Sequence, residues 1–159
     1  MANVYRSISD EEYQQIVDAI PLIAILIGGA DDNFDDHEKE WAKKIVHIRT
    51  FANDMELKPI YQDLEPVFEE KIHTFYKGLP SNPEERGKEI SKRLSKLNSI
   101  LPKLKISIAS RIYESFIEFA EQVAKASGGF LRMLSVSAEE SVWIGLPMLD
   151  PIFFMDEEE

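Results

Sequence analysis

The stretch Ile20-Pro21-Leu22-Ile23-Ala24-Ile25-Leu26-Ile27-Gly28-Gly29-Ala30-Asp31-Asp32-Asn33-Phe34-Asp35-Asp36-His37-Glu38 decides how this chain is read. Its first half is apolar on every side, so a helix made from it must be covered all round, which predicts the central element of a bundle. Ile23, Leu26 and Ile27 should therefore be among the least exposed residues. The glycine pair ends that helix. Four aspartates, a histidine and a glutamate then crowd into a short turn, and Asp35 with Glu38 forms an Asp-x-x-Glu box that opens a new helix with Trp41, Ile45 and Ile48 on one face. A partial echo follows a hundred residues later. Ala126-Ser127-Gly128-Gly129-Phe130 ends one helix, and Ser137, boxed by Glu140, starts another.

Outward from that stretch the apolar spacing is helical nearly everywhere, and no run alternates as a strand would. Ser9-Asp10-Glu11-Glu12 is a capping box for the helix that carries Tyr13, Ile16, Val17 and Ile20. Pro21 removes one backbone donor and predicts a kink. A helix is expected from Leu57 to Tyr76, bent or broken at Pro66. Asn82-Pro83-Glu84-Glu85 combines a cap, a first-turn proline and acids on the positive end of the helix dipole. From it Ile90, Leu94, Leu97, Leu101 and Leu104 step by four and three, with Pro102 opening the next helix. That helix, from about Lys103 to Ala126, should bury Ile112, Phe116, Phe119 and Val123, with Gly128 as its C-cap. The last helix should stop near Gly145-Leu146-Pro147. The expected fold is all-α, a single-domain bundle of about six or seven helices with a pseudo-repeated helix–acidic turn–helix unit. It spans residues 1–155, with an acidic tail at 156–159. The greasy Ile152-Phe153-Phe154-Met155 is expected to lie on the domain.

Composition narrows the function. The 159 residues fit one domain. Without cysteine there are no disulfides or thiolate metal sites, and the reading is of a cytoplasmic protein. No signal-peptide layout opens the chain, and no apolar block approaches the ~20 residues of a membrane span. A net charge of −11 argues against nucleic acid as a partner. The charge is uneven: Arg86, Lys88, Lys92, Arg93, Lys96, Lys103, Lys105 and Arg111 stand against the single acid Glu89. That basic segment is either set against acidic neighbours in the same domain or offered to an anionic partner.

The acidic turn is the one candidate for metal chemistry. It is not an EF-hand, because Asp36 stands where that loop needs glycine and Ala42 where it needs glutamate. What remains is an oxygen set, Asp31, Asp35 and Glu38, suited to Mg²⁺ or Ca²⁺. The competing reading is plain capping by Asp35 and Glu38 with the other acids in water. Glu70-Lys71-Ile72-His73 has the Glu-x-x-His spacing of a di-iron bundle but lacks the second copy such a site requires. His37 and His47 have no companion histidine at ligand spacing. Glu114, Glu118 and Glu121 share a helix face, with Arg111 and Lys125 placed to pair with them. No catalytic constellation or phosphate loop is legible; a hydrolase using Asp31 or Glu38 at a metal-bound site is a third reading, and it lacks a second catalytic group, so the non-enzymatic readings are preferred.

Ala30-Asp31-Asp32-x-Phe34-Asp35-x-x-Glu38 resembles the Ala-Asp-Gly-x-Ile-x-x-x-Glu turn of the TerB-like (tellurite-resistance) family of small all-helical domains. The likeness extends over Ile16 to Ile48 and, through the echo, Ile112 to Ile144. Here Asp32 stands in place of the family's glycine and Ser127 in place of its second aspartate. The resemblance implies a helical bundle with paired acidic turns and a metal-binding role, in which Asp31 and Glu38 serve the first turn and Glu140 the second. The function expected is a non-enzymatic, stress-associated module that binds a divalent cation weakly and engages a protein partner. The alternative is a metal-free adaptor acting through its basic helix or the Phe153-Phe154 segment.

Overall fold

A computed structural model describes residues 4–30, 36–51, 54–127 and 142–154. Among these residues every regular element is helical. The elements are α1 (Asp10–Gly28), α2 (Asp36–Arg49), α3 (Lys58–Leu64), α4 (Phe68–Gly78), α5 (Pro83–Leu94) and α6 (Ile106–Ser127). A 3₁₀ turn at Glu65–Val67 joins α3 to α4 without a break, so this pair is one helix bent where Pro66 removes a donor. Counted that way, the described residues form five long helices. The helix expected from Ser137, its box with Glu140 and the Gly128 cap lie outside the described residues.

α1 is the axis. It packs against α2, α3, α4, α5 and α6, and every residue from Ile20 to Gly28 is buried. Ile23 and Ile27 are fully buried and Leu26 is 2% exposed, as the lack of a polar face requires. Its start is the expected box: the Glu12 amide donates to Ser9 Oγ at 3.0 Å, and the Ser9 amide donates to Glu12 Oε1 at 2.9 Å. The helix continues through Pro21, because the contacts around it hold the backbone where one hydrogen bond is missing. α5 likewise begins as expected, with the Glu85 amide donating to Asn82 Oδ1 at 3.0 Å.

Two elements depart from expectation. The Ile90–Leu104 seam is buried throughout, yet the backbone after Leu94 tightens into 3₁₀ turns at Ser95–Ser99 and Leu101–Lys103. Pro102 sits inside the second of these, and α6 begins four residues after it, at Ile106. A step-by-four-and-three pattern survives such tightening because 3₁₀ and α spacing both return a side chain to nearly the same face within a few residues. α2 differs more. It buries Glu38, Ala42, Ile45 and Val46, whereas Trp41 is 40% and Ile48 61% exposed. Two adjacent stripes of α2 are apolar, and the small Ala42 side faces the core.

The segment before α1 is strapped down by phenols. Tyr5 donates to the Glu56 carbonyl at 2.6 Å, Tyr13 to Asp63 Oδ2 at 2.8 Å, and the two rings lie 5.1 Å apart. Burial pushes the Tyr5 phenol well above its usual value, with nearby Asp54 and Glu56 adding and Arg111 opposing. Tyr13 is raised by burial first and by its bond to Asp63 second. Both phenols are thus favoured neutral in the folded state. Their contribution is fully present below the unfolded value of about 10 and is lost as pH rises toward the folded values. Urea midpoints measured upward from pH 9 should fall beyond pH ~10, and Y5F/Y13F should fall less steeply over that window.

Candidate functional site

The acidic turn follows the C-terminal end of α1, and of its proposed ligands only Glu38 is among the described residues. Asp31, Asp35 and Glu140 lie outside them. Glu38 is 2% exposed on the first turn of α2, an unusual depth for a carboxylate, and the amino-terminal dipole of the helix favours its charge there. Asp36 beside it is fully exposed and reaches Lys39 at 3.9 Å. Among the described residues no three or more His, Asp or Glu side chains are grouped as a metal site would need.

Arg86, marked by the sequence only as one of a basic run, meets the end of α1 that leads into this turn. Arg86, on α5, is 2% exposed. Its guanidinium donates to the carbonyls of Gly29 at 2.7 Å and Ser81 at 3.0 Å, and it lies 5.1 Å from the Tyr76 ring centroid. Gly29 is the C-cap of α1. Helix ends leave carbonyls without partners, and a cation there also meets the negative end of the dipole. Arg86 therefore closes the central helix two residues before the first aspartate, which brings a buried positive charge to the base of the acidic turn. The sequence placed Arg86 in a basic segment either set against acidic neighbours or offered to an anionic partner; the structure buries it on backbone carbonyls instead. The only sequence signal is its position one turn into a strongly capped helix, beside Gly87. There a Cβ would meet Trp143 Cζ2 at 2.8 Å, so α5 and the Trp143 ring approach closely.

The rest of the basic segment is partly neutralised within the domain. Arg93 bonds Glu89 at 2.9 Å, Lys103 pairs with Glu12, and Arg111 holds Asp54 at 3.2 Å and Glu56 at 2.8 Å. Arg111 thus serves the loop before α3 and not Glu114, as its sequence spacing had suggested. Lys88, Lys92, Lys96 and Lys105 remain exposed.

Two clefts flank α2. Between α2 and α4 a cleft of about 540 Å³ is lined by Asp36, Lys39, Glu40, Glu69, His73 and Tyr76, among others. Lys43 on its wall bonds Glu69 at 3.2 Å, and that hydrogen bond raises the lysine's pKa above its usual value. Glu70 and His73 are both exposed, which is how ordinary surface helix residues sit. Between α2, α3 and α6 a cleft of about 450 Å³ includes Glu114 and Glu118 on its wall. Its floor is an arginine clamp. Arg49 donates to Tyr61 Oη at 2.7 Å, to Ser115 Oγ at 2.9 Å and to Gln122 Oε1 at 3.0 Å. Tyr61 and Ser115 also bond each other, so one guanidinium at the end of α2 ties three helices together. Mixed charge on both clefts suits neither a strong anion nor a strong cation.

These features define the class: an all-helical bundle wrapped round one apolar helix, with an acidic interhelical turn at that helix's end. No family model, curated protein or solved structure matches this chain. Among the described residues no helix is long and apolar enough to cross a membrane.

Proposed function

We propose that the chain is a non-enzymatic helical module of TerB-like type that engages a protein partner and takes up a hard divalent cation, Ca²⁺ or Mg²⁺, weakly at the Asp31–Glu38 turn. The observation that carries the cation half is Glu38, a carboxylate buried at the foot of a turn that holds four aspartates. Crowded carboxylates repel, and a bound cation relieves that repulsion. In this reading the helix from Ser137 is the sixth of the bundle, Glu140 contributes from a second, pseudo-repeated turn, and the module is cytoplasmic and stress-associated.

The metal-free adaptor reading has its own support. Phe153 is 75% and Phe154 50% exposed, where the sequence had them lying on the domain. Ile152 just before them is partly buried against the core.

A cation titration separates the two. Millimolar Ca²⁺ or Mg²⁺ at moderate salt should raise the melting temperature of the natural sequence, because a ligand of the native state alone stabilises it by mass action. Asp31→Asn with Glu38→Gln should abolish that rise. The metal-free melting temperature of the double variant is the control for simple charge relief. No heat and no shift with the natural sequence would leave the turn as a cap and the adaptor reading in force.

A further inference from the structure

The outer stripe of α2 has a companion elsewhere in the chain. Trp41 and Ile48, with Ile45 between them, floor a groove of about 210 Å³ that Gln122 and Lys125 of α6 close on the far side. Its rim is basic. Arg49 and Lys125 line it, and Lys44 Nζ lies 6.0 Å from the Trp41 ring centroid. Among the described residues neither Lys44 nor Lys125 forms a salt bridge. The Phe153-Phe154 segment has the complementary chemistry. Two exposed rings are followed in the sequence by Met155 and then by Asp156, Glu157, Glu158 and Glu159. Rings suit a Trp/Ile floor, and a run of acids suits a rim of lysine and arginine.

We propose that the Phe153-Phe154 segment of one copy docks in the α2–α6 groove of a second copy, the acids that follow it meeting Lys44, Arg49 and Lys125. The proposal rests on the partner-binding half of the function proposed above and names the partner.

In the single copy Phe153 and Phe154 are exposed, and neither lines this groove. The segment is fastened on the α5 side, where Asn98 Nδ2 donates to the Met148 carbonyl at 2.9 Å and the Asp150 amide donates to Asn98 Oδ1 at 2.8 Å. α2 packs on α1, α3, α4 and α6, whereas α5 packs on α1. Phe153 and Phe154 follow Asp150 by three and four residues, a backbone reach of at most about 14 Å. Between two copies the exchange is reciprocal, each giving its segment and receiving the other's, so the assembly closes at a dimer.

Sedimentation equilibrium of the full chain from low to high micromolar concentration tests this. The expected result is a monomer–dimer equilibrium that weakens as salt screens the rim. Ile48→Glu and, separately, Phe153→Ser with Phe154→Ser should each weaken it by roughly thirtyfold or more, the size expected on losing an interface anchor. All three side chains are exposed in the single copy, so the variants should keep the melting temperature of the natural sequence. Mixing the groove variant with the segment variant should restore association, since one holds an intact segment and the other an intact groove. A fluorescein-labelled peptide of residues 150–159 should bind the segment variant and not Ile48→Glu.

A chain that stays monomeric and ignores the peptide overturns the proposal, as does a dimer that Ile48→Glu leaves intact. Peptide binding without self-association also overturns the second copy as occupant, but leaves the partner-binding reading standing. The cation titration reads a melting shift and not a mass, so the two experiments fail separately.

Discussion

Arg86→Met should destabilise the protein by roughly 2–4 kcal/mol, seen as a lower urea midpoint with an unchanged slope. Methionine nearly fills the space of the arginine stem, so cavity formation contributes little. The loss comes from the Gly29 and Ser81 carbonyls, which accept at 2.7 and 3.0 Å from the guanidinium. A hydrogen bond from a charged donor is worth about 1.5–3 kcal/mol, and the relieved desolvation of the guanidinium offsets part of two such bonds. Replacing both members of a buried polar pair by apolar groups can be neutral, but here the acceptors are backbone and cannot be replaced. Arg86→Lys keeps the charge without the fork, so it should recover only part of the loss. An Arg86→Met midpoint equal to that of the natural sequence would show that water satisfies the end of α1.

Leu26→Ala is expected to cost 2–5 kcal/mol, the range for a leucine deleted from a site that cannot collapse. Leu26 is 2% exposed and belongs to the stretch of α1 that is buried on every side. Helices cover α1 from several directions, so none can move inward to fill the void without losing its hold on the others. A denaturant melt showing a loss below about half a kcal/mol would mean that the surrounding helices close on the gap after all.

Legibility in the sequence varied with the kind of interaction that decides each feature. The two confirmed helix starts were readable because capping is local: Ser9 with Glu12, and Asn82 with Pro83 and Glu85, lie within four residues of each other. The centrality of α1 was readable for a different reason, since a helix with no polar face has only one kind of place to go. Of the candidate metal site, the burial of Glu38 is what the structure adds. Its other carboxylates were legible only as a density of charge, which cannot distinguish a cap from a cation site because both call for acids in the same turn.

Charges and half-apolar faces were the poorer guide. Arg86, Arg93 and Arg111 read alike in a basic run, yet one is buried on carbonyls, one pairs along its own helix and one holds a loop. Trp41 and Ile48 have the spacing of a core stripe but lie outside, because α2 offers two neighbouring apolar stripes and only contact with α1 and α6 selects between them. The sequence by itself determined the all-helical class, the two caps and the central helix, all of which follow from residues close in the chain or from hydrophobicity without direction. Only the tertiary structure decided which charges are solvated and which apolar stripe faces water. Those outcomes depend on partners far away in sequence, such as Gly29 for Arg86, and local spacing carries no information about which distant group a helix face will meet.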